Sequence, residues 1–174
     1  MASNLNFVYT RIFGYMLNFN EELDLTQKVA GASGYRPSVA LLMSATTVGD
    51  DNDTNNPGAA TSGEDVEFLD DFADLDEFDG TGYARQVPTT VAVNEDLGSD
   101  SYTHDMDNVS FLGISGGSSA IEVVFVYMER GADDSTPEDD WPLYHFGLNP
   151  GFTANGGDVL VNWNASGVMT ISNA

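Results

Sequence analysis

Three patterns in this 174-residue chain carry residue types that could do chemistry. Gly113-Ile114-Ser115-Gly116-Gly117 fits the G-x-S-x-G spacing in which a serine is presented as a nucleophile on a sharp turn. Asp139, Asp140 and His145 then come in the chain order such a hydrolase uses. An elbow of that kind runs from a strand into a helix. Ser115 instead leads to Ile121–Arg130, a β-branched and aromatic run, so the expected reading is a glycine-serine turn between strands. Asp51, Asp53 and Asn55 have the spacing of a calcium loop. The sixth and twelfth positions should then be Gly and Glu, but they are Asn56 and Ser62, which points to a solvated Asp/Asn loop. His104 and His145 show no ligand-like spacing, and His145 in Tyr144-His145-Phe146 suits a half-buried strand position.

Composition narrows the chemistry further. The chain has no cysteine, which removes disulfides, thiolate metal sites and cysteine nucleophiles. Among 28 carboxylates no pair stands out for acid–base work, and no glycine cluster opens a helix that would cradle phosphate. We expect no catalytic residue, no cofactor, no metal site and no enzyme.

The 28 acidic residues face only 5 basic ones, for a net charge of −23. A field of that sign repels phosphate backbones and anionic lipid, so neither nucleic acid nor membrane is an expected partner. The charge is unevenly placed. Through residue 49, Arg11, Lys28 and Arg36 balance Glu21, Glu22 and Asp24, and the remainder of the chain carries the whole excess. That first stretch is also rich in aromatics: Phe7, Tyr9, Phe13, Tyr15 and Phe19. No signal-peptide pattern is expected there, because "RIFGYMLNF" is interrupted by Gly14 and Asn18.

The elements that must hold these residues read as mostly strand. "SVALLMSATT" (38–47) and "IEVVFVYMER" (121–130) are apolar runs, the second suited to a central strand covered on both faces. "YARQVPTTVAVN" (83–94) places Val91 and Val93 on one face, with Pro88 marking an edge or a bulge. "PLYHFGL" (142–148) ends at Asn149-Pro150-Gly151. "DVLVNWNASGVMTIS" (158–172) reads as a hairpin turning at Asn164 to Gly167, with Trp163 inside and Gly167 in a left-handed position. Trp141 is left as the exposed indole. Two short helices are expected, over residues 9–19 and around Phe68, Phe72 and Leu75, whose i, i+4, i+7 spacing gives one apolar stripe. Residues 49–65 form a loop excursion. The fold class is mainly β, a β-sandwich or jelly-roll-like body over 38–174 with an N-terminal arm over 1–37.

The run "FLDDFADLDEFDGTGYARQVPTTVAVNEDLGSDSYTHDMDNVSF", then "IEVVFVYMERGADDSTP", "PLYHF" and "FTANGGDVLVNWNASGVMTIS", resembles small structural proteins of tailed bacteriophages. The likeness covers roughly residues 65–174 and rests on the order of the motifs. It implies a virion component of the capsid-decoration or cement type. Such a protein would sit on the outer capsid surface, bind the major capsid protein and associate with itself as a trimer after assembly in the host cytoplasm. It implies no catalytic residues. Within that role, Arg11, Phe13, Tyr15, Phe19 and Arg36 are the candidate interface residues, because aromatics and arginine populate interface cores. The same aromatics would serve equally well to cover the domain's own core. A minor head–tail or tail component, or an acidic adhesin or carbohydrate-binding sandwich, remain alternative readings.

Overall fold

The longest apolar run in the chain becomes the centre of the molecule. In the computed structural model, which describes residues 7–8, 35–46, 48, 68–72, 74–98, 101–130, 140–165 and 167–172, Ile121–Arg130 is strand β6, buried at nearly every position. It is flanked by β2 (Tyr35–Met43) and β7 (Trp141–Phe152), both antiparallel to it, and β1 (Phe7–Val8) pairs on the far side of β7. Burial of a Val, Phe or Ile side chain contributes about 1.5–3 kcal/mol. A strand with Ile121, Val123, Phe125, Val126 and Met128 all essentially inaccessible is therefore the largest single contributor to the core.

Two smaller antiparallel units complete a mainly β, sandwich-like fold. One is a three-stranded sheet of β3 (Val91–Asp96), β4 (Ser101–Met106) and β9 (Met169–Ser172), in the order β3-β4-β9. The other is a ribbon of β5 (Val109–Phe111) and β8 (Val159–Val161). Alternation puts Leu41, Val124, Tyr144 and Phe146 on one face of the large sheet, given the pairings of Leu41 with Val124 and of Val124 with Phe146. The smaller units approach that face: Tyr144 bonds His104 of β4, and Phe146 meets the Trp163 ring at 5.6 Å.

Four expectations from the sequence change here. The acidic stretch is not a helix. Residues Leu69–Asp71 form a single 3-10 turn, fastened by the Phe68 N–H donating to the Asp71 carboxylate at 2.9 Å, and the backbone is extended again at Phe72. Beyond it the chain lies along the outer edge of β2. Met43 donates to Asp76, Phe78 donates to Leu41, and Val39 exchanges both bonds with Gln86. Closing that edge satisfies backbone groups that a helix would have satisfied internally. Of the expected stripe, Phe72 is buried, while Phe68 and Leu75 are partly buried against the core; Leu69 and Phe78 are the other buried apolar residues of the stretch.

The C-terminal hairpin is the second correction. The turn is present, with Gly167 at φ +98 and its N–H on Asn164 O at 2.9 Å. A Cβ there would lie 2.2 Å from Thr103 Cγ2, so the position has no room for another residue. Its two arms nevertheless part company: β8 pairs with β5, and β9 with β4.

Trp141 is the third. It is buried, edge-on to Phe68 at 6.2 Å, because the preceding Asp140 is itself buried and accepts the Arg130 N–H at 2.8 Å. Last, β2 begins at Tyr35, so the boundary expected at 37/38 falls inside a strand and Arg36 belongs to the body. The helix expected over 9–19 and the 49–65 excursion lie outside the described residues, save Phe7–Val8 before the one and Val48 before the other.

Candidate functional site

Of the residues first singled out for chemistry, those described are occupied with structure, and Asp139 lies outside the described residues. Ser115 exchanges backbone hydrogen bonds with Thr81 at 2.8 and 3.0 Å, bridges Asn155 on its other side, and leads into β6 without an intervening helix. Asp140 accepts from the Arg130 backbone, and His145 is wholly buried in β7 opposite Phe125. Nothing in this arrangement presents Ser115 as an elbow nucleophile. His104 is buried on β4 with Nδ1 2.8 Å from Tyr144 Oη, a link between the small sheet and the large one. Burial pushes the Tyr144 phenol well above its usual range, so it is a neutral partner. Among the described residues no group of three or more metal-ligating side chains comes together. Asp51, Asp53 and Asn55 lie outside them.

Of the five candidate interface residues, Arg11, Phe13, Tyr15 and Phe19 also lie outside the described residues. Arg36 is held within its own chain. Its guanidinium donates from Nη2 to both Glu129 oxygens at 2.6 and 2.8 Å and from Nε at 3.0 Å, while Ser38 Oγ adds a donor at 2.7 Å. Glu129 is fully buried, so these bonds replace the water its carboxylate has lost. Arg36 and Ser38 alternate along β2, but β6 carries two carboxylates, Glu122 and Glu129, and only the register of the two strands sets Arg36 opposite Glu129.

A second cation is spent in the same way. Arg85 donates to Glu77 from Nη2 at 2.7 Å and lies over the Tyr127 ring, 5.3 Å from its centroid. Glu77 also accepts the Tyr83 hydroxyl at 2.6 Å, and that hydroxyl receives the Leu41 N–H. Desolvation, reinforced by Glu77, raises the Tyr83 phenol far above its ordinary value. Two of the three cations in the described body therefore face inward onto carboxylates, and the acidic excess is left to the exterior.

The feature that sequence reasoning missed is a groove. Between the large sheet and β8 lies a cavity of about 470 Å³, floored by Leu41 and Val124 and walled by Phe146, Val161 and Trp163. None of the described residues lining it is charged. Trp163 is half-buried rather than enclosed, and its indole N–H is committed to the Asp107 carbonyl at 3.0 Å. A local reading could place Trp163 on the apolar side of its strand, but not the gap, which exists only because β8 pairs with β5 and stands off from β7. Comparison with protein-family models, with curated proteins and with solved structures gives no match.

Proposed function

We propose that this chain is a virion structural protein, a capsid decoration or cement protein that binds the outer surface of a phage head as a homotrimer and stabilises the shell. The observation that carries the reading is the disposition of charge. Arg36 and Arg85 are consumed by Glu129 and Glu77 inside the fold, so a chain of net charge −23 turns almost pure negative charge outward. Such a surface resists aggregation and is repelled by packaged DNA, which suits an outside position and argues against an inner one. The motif order from residue 65 onward, which resembles phage structural proteins, agrees with this role.

The remaining requirement is a way for acidic subunits to meet the shell and one another. The neutral, aromatic first stretch supplies it, with the major capsid protein as partner and no enzymatic step. Trimeric attachment lets weak single contacts add through effective concentration. Copy number per particle in purified virions tests the reading. Hundreds of copies are expected, whereas a few copies would instead identify a head–tail or tail component. Deletion of residues 1–20 should leave a folded protein that no longer decorates shells, and undiminished occupancy would refute the role given to the arm.

A further inference from the structure

We propose that Asn155 is a self-modifying site, at which the amide nitrogen of Gly156 attacks the Asn155 carboxamide, and that the hydrogen bond from Gly156 to Ile114 sets the rate. Asparagine is among the thermolabile residues, and Asn155-Gly156 is the one Asn-Gly pair in the chain. Glycine in second place leaves the attacking nitrogen unshielded by a Cβ, and Gly156 takes a φ of +92, which favours glycine. Both residues are exposed, on the stretch between β7 and β8.

Two hydrogen bonds act on this pair in opposite senses. Asn155 Oδ1 accepts the Gly157 N–H at 3.1 Å. A donor on that oxygen polarises the carboxamide and stabilises the negative charge that collects there when Cγ is attacked. The Gly156 N–H, in contrast, donates to Ile114 O at 2.8 Å. To react, that nitrogen must give up its proton and turn towards Asn155 Cγ, and it does neither while it is held. Ile114 is wholly buried, so its carbonyl is a fixed acceptor. The carboxamide is primed and the nucleophile is locked.

Release is a local event. Asn155 meets Ser115 in an isolated bridge outside the named strands, and Ser115 carries Thr81 on its other side. A contact of that kind at an exposed residue opens at a fraction of the free energy of global unfolding. On opening, the Gly156 nitrogen bonds to Asn155 Cγ, the Cγ–Nδ2 bond breaks, and ammonia leaves a succinimide behind. Water then opens the ring to aspartate or isoaspartate and is the sole co-reactant. Aspartate adds a negative charge to a chain already at −23. Isoaspartate routes the main chain through the side-chain methylene, so the bridge from Asn155 to Ser115 cannot re-form in its old register. The fold thus carries an irreversible clock that runs in proportion to the time this bridge spends open. The chemistry is independent of the capsid role proposed above.

The test follows the full-length chain over time by peptide mapping, scoring the mass gained when an amide nitrogen is exchanged for oxygen. One arm is folded protein in buffer, and the other is protein in guanidinium chloride above its unfolding midpoint. Amide hydrogen exchange at Gly156 is measured on the folded protein in parallel. Asn155→Gln, which cannot close a succinimide, shows that a signal in that peptide belongs to position 155. In guanidinium Asn155 is expected to convert before any other asparagine. In the folded protein its conversion should be slower by at least roughly tenfold, and that slowdown should equal the exchange protection of the Gly156 amide to within about tenfold. Equal rates in the two arms, earlier conversion elsewhere in guanidinium, a gain that persists in Asn155→Gln, or a slowdown outside that range of the Gly156 protection overturns the proposal.

Discussion

The four-stranded sheet and the smaller units on its face solve the same problem of burying a β surface in opposite ways. β6 and β2 are covered on both sides, and the one carboxylate that enters, Glu129, is met by four short hydrogen bonds. β3 and the β5–β8 ribbon are covered only in part: Val91 and Phe111 are buried, whereas Val93, Leu160 and Leu112, just past β5, reach solvent. The large sheet is the part that must be right for the chain to fold. The small units are where apolar surface is left over for something else. Buried core and exposed apolar surface thereby fall largely to different strands.

The sharpest break of that contrast would be Phe125→Ala set against Val93→Ala. Phe125 stacks on Tyr127, meets Phe72 edge-on and is 1% exposed, so truncation should cost about 3–5 kcal/mol. Val93, at 37% exposure, should cost about 0.5 kcal/mol. Urea titration of both variants decides it, and equal losses would erase the distinction. Next comes Glu129→Gln, expected to cost about 3 kcal/mol because it leaves Arg36 facing a buried site without its counter-charge. Glu77→Gln, in a pair partly exposed on both partners, should cost only about 1 kcal/mol. Salt separates the two pairs as well, since only the Glu77 pair should weaken as ionic strength rises.

How much of this was open to a reader of the sequence differs between the same two regions. The bounds of β6 coincide with the run Ile121–Arg130 because a strand covered on both faces needs no partner to explain its pattern. The turn at Gly167 was legible too, since only glycine suits that backbone and that contact with Thr103. What could not be read was pairing. The arms on either side of that turn go to β5 and β4, and the choice depends on strands far back in the chain. The acidic stretch misled for the same reason. Its i, i+4, i+7 stripe is genuine, but the free edge of β2 offers the backbone a better set of partners than a helix rich in aspartate can provide. Trp141 was left as the exposed indole once Trp163 had been placed inside, but it is buried behind Asp140, which is itself buried and bonded. The Arg36–Glu129 pair and the groove both arise from register, which local periodicity does not encode.

The junction between the regions yields the smaller effects. Tyr144→Phe removes the His104 bond that ties β4 to β7 and should cost about 1–2 kcal/mol. Amide exchange should then quicken in β4 before it does in β6, and uniform acceleration across both would show that the two regions open as one. Smallest is the response to mild alkali. Burial raises the phenols of Tyr83 and Tyr144 above the unfolded value, so the folded state holds those protons more tightly. Their contribution is complete below about pH 10 and is lost as pH rises beyond it, about 0.8 kcal/mol per group by about pH 10.5. Thermal melting at about pH 8, 9.5 and 10.5 should be flat between the first two and lower at the third.

The pairing of β2 with β6 has a consequence for how the protein is made. Arg36 and Glu129 are separated by 93 positions, so the apolar strand Tyr35–Met43 emerges from a ribosome long before its central partner has been synthesised. Contacts of that span make for slow folding, and the waiting strand is a sticky edge in the meantime. The carboxylates between residues 50 and 80 come directly after it out of the exit tunnel. On the nascent chain that run sets like charges beside the waiting strand, which disfavours its association with another copy until β6 closes over it.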